Sequence, residues 1–98
     1  MKLADYFMIR KAAGAGEGNQ VLLDFGNYHL SIIDDGMGKA ANLFEIATFN
    51  SNDGIASGFV ELPGITDESG VRGYLTEDDV DAIIKKMYSV TGRLPVQI

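Results

Sequence analysis

Gly73-Tyr74-Leu75-Thr76-Glu77-Asp78-Asp79-Val80-Asp81-Ala82-Ile83-Ile84-Lys85-Lys86-Met87-Tyr88-Ser89-Val90 declares its own structure, and the rest of the chain reads as the surface it closes over. Thr76 suits a helix N-cap because its hydroxyl can accept from the free N–H of Asp79, while Glu77, Asp78 and Asp79 fill the electropositive first turn. Leu75 and Val80 have the spacing of a hydrophobic staple, and Asp79 is a shorter stand-in for the Glu or Gln of a capping box. Val80, Ile83, Ile84 and Met87 recur at i, i+3, i+4 and i+7, so one stripe is apolar and needs something to cover. Lys85 and Lys86 approach the negative end of the dipole, and Gly92 is a natural stop.

Ninety-eight residues with 46% apolar and 22% charged side chains describe a single globular domain, 1–98, with a modest core. No apolar run approaches the ~18–20 residues of a membrane span, and Asp5 and Arg10 interrupt the N-terminal segment before a signal-peptide core can form. With no cysteine, no disulfide or thiolate metal site is available, which fits a reducing, cytoplasmic setting. The net charge of −6 is uneven: residues 12–71 hold nine carboxylates against Lys39 alone, a local net of −8. Affinity for phosphates comes from Lys and Arg releasing counterions, so direct nucleic-acid binding is not expected, whereas a basic partner would be attracted.

Leu3 to Ala13 contains no Gly or Pro and suggests a short helix with Leu3, Phe7 and Met8 inward, although Tyr6-Phe7-Met8-Ile9 reads equally as a strand. Gln20–Phe25 and Tyr28–Ile33, joined by Gly26-Asn27, read as a hairpin with Val21, Leu23, Phe25, Tyr28, Leu30 and Ile32 on the core side. Asp24, His29 and Ser31 are then on the outer side. Asn42 to Phe49 gives a third strand whose second face is also apolar at Leu43, Ala47 and Phe49, implying a bulge, a cover from the N-terminal segment or a dimer contact. Asn50 to Gly54 is a turn cluster, Ser57 to Leu62 a fourth strand ended by Pro63-Gly64, and Val71 to Leu75 a short edge strand.

The candidate chemistry is sparse. Gly14, Gly16 and Gly18 lack the Gly-Lys-Ser/Thr ending of a phosphate loop, and Gly36-Met37-Gly38-Lys39 is explained by a hairpin connection with a solvated lysine. Asp34, Asp35 and Asp53 suggest a Ca²⁺ or Mg²⁺ loop, but aligning Gly54 with an EF-hand glycine puts Phe49 at the first ligand position, so turn chemistry is favoured. His29 is the only histidine, and Ser31 on the same face stands ~6–7 Å away, too far to form a nucleophile pair. Tyr28, Phe44, Phe59 and Tyr74 are read as core and cross-strand packing rather than a base-stacking platform, because no basic groove accompanies them. No catalytic residue, metal or cofactor is assigned. Asp24, Glu45, Glu61, Asp34 and Asp35 are the candidate partner-binding residues.

Phe25-Gly26-Asn27-Tyr28-His29-Leu30-Ser31-Ile32, then Leu43-Phe44-Glu45-Ile46-Ala47, then Asp53-Gly54, then Gly73-Tyr74-Leu75-Thr76-Glu77-Asp78-Asp79-Val80 resembles a loose set of short, uncharacterised proteins encoded by bacteriophages and prophages. The resemblance implies a viral accessory setting, with the host cytoplasm as the compartment, and supplies no catalytic residue.

The expected architecture is α+β: an antiparallel meander of three to five strands packed against the C-terminal helix, with a short N-terminal helix. One helix leaves the second sheet face half protected, so a homodimer burying Leu22, Ile33, Leu43 and Phe49 between two sheets is an expectation. The leading functional expectation is a non-enzymatic protein acting by protein–protein recognition. Alternatives are an acidic inhibitor imitating nucleic-acid charge on a basic host protein, and a small enzyme whose site is completed at a dimer interface.

Overall fold

Gly26-Asn27 closes the central hairpin: Asp24 accepts from the Gly26 N–H at 2.7 Å, and the Phe25 N–H donates to the Tyr28 carbonyl at 2.9 Å. In the computed structural model, which describes residues 1–11, 16–52 and 58–98, this turn joins strands β2 (Asn19–Asp24) and β3 (Tyr28–Ile33). Around them stand β1 (Ile9–Arg10), β4 (Phe44–Asn50) and β5 (Val71–Leu75), in the antiparallel meander β1-β2-β3-β4-β5. A sixth strand, β6 (Val96–Gln97), shares the edge of β2 with β1. The one α-helix among the described residues, α1 (Glu77–Thr91), packs on one face, and the class is α+β as expected.

The helix follows its sequence closely. Thr76 accepts from the Asp79 N–H at 3.1 Å while Asp79 accepts from the Thr76 N–H at 3.0 Å, so the short Asp completes the capping box. Val80, Ile83, Ile84 and Met87 are all buried against Val21, Leu23, Phe25, Leu30, Ile32 and Ile46 of the sheet. Gly92 ends it at φ 71°, a left-handed conformation that costs a side chain about 1–2 kcal/mol and glycine nothing comparable. Lys86 leaves the dipole to donate to the Gly64 carbonyl at 3.0 Å, tying the turn after Pro63 to the helix.

Two expectations need correction. The N-terminal segment forms only one 3-10 turn, Leu3–Asp5, before extending into β1. Leu3 is buried beneath α1, with its N–H donating to Asp81 at 2.7 Å, but Phe7 is 81% exposed rather than inward. Pairing of Ile9 with Gln20, and of the Gln97 amide with both the Phe7 N–H (3.1 Å) and carbonyl (2.6 Å), satisfies that backbone better than a lone short helix. The described part of Ser57–Leu62 is not a regular strand, because β5 occupies the place beside β4. It is instead latched by the Val60 N–H on the Thr48 carbonyl (2.8 Å) and by the Thr48 hydroxyl on the Val60 carbonyl (2.6 Å). Buried Thr66 shares the latch, its hydroxyl 2.8 Å from that of Thr48, and Leu62 and Ile65 drop into the core. Ala12, Ala13, Asp53, Gly54 and Ser57 lie outside the described residues, so the expected turn at Asp53-Gly54 does too.

Ile84, fully buried where helix and sheet meet, sets the scale of this packing. Ile84→Ala is expected to lower unfolding free energy by about 2–5 kcal/mol in urea denaturation, whereas Lys85→Ala on the exposed face should stay within about 0.5 kcal/mol.

Candidate functional site

Strand register sets out the face that the helix leaves uncovered. Asp24, His29 and Phe49 form one row across β2, β3 and β4; Leu22, Ser31, Ala47 and Val71 form the next; Gln20, Ile33 and Glu45 the third. The first two rows are closed by local cover. The His29 ring meets Phe49 edge-on at 5.2 Å and Phe59 lies 6.3 Å from it, so Phe49 is buried within the chain and is not free for a contact between sheets. On this second face of β4, Phe49 is thus covered by Phe59, and the bulge lies in the β4–β5 pairing, between Phe44 and Ile46. The Ser31 hydroxyl accepts from the Gln20 side chain at 2.8 Å, and His29 Nε2 stands 3.6 Å from Asp24. The outer positions inferred for Asp24, His29 and Ser31 hold, with Ser31 buried.

The five candidate acidic residues do not form one patch. Asp34 accepts from the Asn19 N–H (2.8 Å) and side chain (3.1 Å), and Asp35 accepts from Lys11 Nζ at 2.8 Å and the Gly18 N–H at 3.2 Å. Both anchor the start of β2 beside an open depression of about 370 Å³ that Glu17, Lys39 and Asn42 help to line. Asp24 serves the hairpin turn, Glu45 lies at the far end of the outer face, and Glu61 is exposed on the 58–62 segment. Among the described residues no group of three or more His, Asp or Glu is arranged to hold a metal ion, and no helix is long and apolar enough to cross a membrane.

Beside Glu45 stands a feature that sequence reading assigned to the core. In the β5 bulge opposite Glu45, Tyr74 adopts φ 58°, a left-handed conformation that bulky residues almost never take, and its side chain is 67% exposed. Tyr28 and Phe44 do pack against the core; Tyr74 does not. The Tyr74 N–H donates to the Met37 carbonyl at 3.1 Å, and Glu45 accepts from the Met37 N–H at 3.1 Å, so one carboxylate holds the 36–38 loop against the strand. Gly73 permits this approach, since a Cβ there would run into that of Met37. Met37 itself is 42% exposed, leaving a tyrosine and a methionine together at the sheet corner. The available signal was a glycine inside a strand pattern, which marks a bulge or a close backbone approach. Comparison of the chain with protein-family models, curated proteins and solved structures finds no match.

Hydrogen bonding by Lys11 holds the Asp35 carboxyl below its ordinary value of 3.8, assisted by the Gly18 N–H. Asp79 is lowered through its bonds to Thr76, and Asp67 through its bonds to Ser69. A depressed folded-state value adds stability that is complete above the unfolded value and is lost as pH falls through the folded one. Stability should therefore be flat from neutral pH to about 5 and decline below about 4. In Lys11→Met the Asp35 midpoint, followed by carboxyl ¹³C NMR, should move up toward 3.8.

Proposed function

We propose that the protein is a non-enzymatic accessory factor that acts by protein–protein recognition, presenting the Tyr74–Met37 corner of its sheet to an apolar patch on its partner. The observation that carries this reading is Tyr74 itself. A tyrosine held at φ 58° costs about 1–2 kcal/mol that a glycine would avoid, and its side chain packs no core in return. Strain retained at an exposed aromatic supports a role outside the fold, and tyrosine and methionine are among the residues enriched at interfaces. Glu45, chosen from sequence as a candidate contact, serves here by fixing the Met37 loop. The phage-like arrangement of motifs favours a viral accessory role in the host cytoplasm.

The second reading, an acidic inhibitor on a basic host protein, rests on the net −8 of residues 12–71 and on the outward placement of Asp24, Glu45 and Glu61. It is weakened by Asp34 and Asp35, whose oxygens already hold Asn19, Gly18 and Lys11. Salt separates the two, because exposed charge contacts are screened at 1 M where the Debye length is about 3 Å.

Tyr74→Gly tests the leading reading with two independent measurements. Its unfolding free energy should rise by about 1 kcal/mol as the strain is relieved, while affinity capture from expressing cells at high salt loses the partner that the parent chain retains. Capture unchanged by the substitution, or turnover of a substrate by the purified protein, would contradict the proposal.

A further inference from the structure

The two edges of the sheet are finished differently. Along β5 the Tyr74 N–H is met by the Met37 carbonyl, and Asp67 and Val71 bond across the remaining backbone at 3.4 Å, so that edge is closed. At the opposite edge β1 and β6 lie end to end along β2. The Lys11 N–H donates to the Gly18 carbonyl at 3.2 Å and the Ile98 N–H to the Leu22 carbonyl at 2.9 Å. By the alternation of an antiparallel ladder, the backbone groups of Ile9 and Val96 also turn toward β2, and those of Arg10 and Gln97 point away from the sheet.

The side chains on this edge are equally unfinished. Ile9, Val96 and Ile98 pair with Gln20, Asp24 and Leu22, which places all three on the outer face at alternate positions of one composite strand. They are 52%, 67% and 57% exposed, and all are β-branched, the type that packs best across strands. Phe7 extends the apolar surface. Open backbone groups beside an exposed apolar row form a template for another strand.

We propose that this edge pairs with the same edge of a second copy of the chain, antiparallel, to continue the sheet across a two-fold axis. The row is self-complementary: reversed, Val96-Ile98-Ile9 meets Ile9-Ile98-Val96, as an isologous contact requires. The exposed parts of Phe7, Ile9, Val96 and Ile98 sum to roughly 400 Å² per copy, so with the strand backbones the contact approaches the ~1,000–1,200 Å² at the lower end of specific interfaces. A reversible dimer of micromolar affinity is the expected product. It lies at the sheet edge away from Tyr74, so it stands or falls separately from the recognition role.

Sedimentation equilibrium of the full chain at 0.5 M salt, from about 1 to 500 μM, tests this, with salt chosen to screen the repulsion between chains of charge −6. The parent chain should convert from monomer to dimer, and Ile9→Lys should weaken association at least tenfold. Arg10→Pro removes an outward N–H that bonds to none of the described residues, so it should leave monomer thermal unfolding nearly unchanged while weakening the dimer to a similar degree. Amide exchange at Arg10 and Gln97 should slow as concentration rises. A chain that remains monomeric at 500 μM, or a dimer indifferent to Arg10→Pro, would overturn the edge pairing.

Discussion

Burial of the α1 stripe is the interaction on which everything else in this chain depends. Val80, Ile83, Ile84 and Met87 are the buried positions of this 15-residue amphipathic helix, and they meet the inward rows of β2, β3 and β4. The sheet supplies that surface through simple alternation, with Val21, Leu23, Leu30, Ile32 and Ile46 all buried. Leu3, Leu62 and Ile65 close the perimeter, held by the Leu3–Asp81 bond and by the Thr48–Thr66 latch. A single helix covers a single face, so the remaining surface must be completed by other means.

Those means differ across the molecule. The centre of the outer face is closed with small or locally covered side chains: Ala47, Ser31 beneath Gln20, and Phe49 beneath His29 and Phe59. The β5 edge is closed by a bulge and the 36–38 loop, and that closure holds Tyr74 exposed in a strained backbone. Among the described residues nothing pairs with the outward backbone groups of the β1/β6 edge, and its β-branched row is exposed. The two exposed surfaces at opposite edges of one sheet are the basis of the proposal that this protein works by contact.

The helix and the hairpin were legible because local chemistry and tertiary packing agree there. Thr76, the acidic first turn, the 3.6-residue stripe and Gly92 all specify one rod, and Gly26-Asn27 between alternating runs specifies one turn. The segments misread are those in which a distant partner decides. Phe7 and Ile9 lack a period of their own, and it is Gln97, ninety residues away, that holds the Phe7 backbone. Residues 58–62 have strand composition, but β5 takes the place beside β4 and leaves them only the Thr48 bonds. Asp34 and Asp35 look like free charge in sequence, yet each is engaged by a segment at least fifteen residues away. Tyr74 reads as a core aromatic until the bulge opposite Glu45 rotates it outward, a change of register that composition does not announce.

Native-state hydrogen exchange tests the central claim most directly, since it measures whether helix and sheet open together. If one buried stripe holds the fold, the amides of Ile83, Ile84 and Met87 should share one opening free energy with those of Leu23, Leu30 and Ile46, equal to that of global unfolding. Helix amides that exchange through a separate opening of lower energy, with the sheet still protected, would contradict the account.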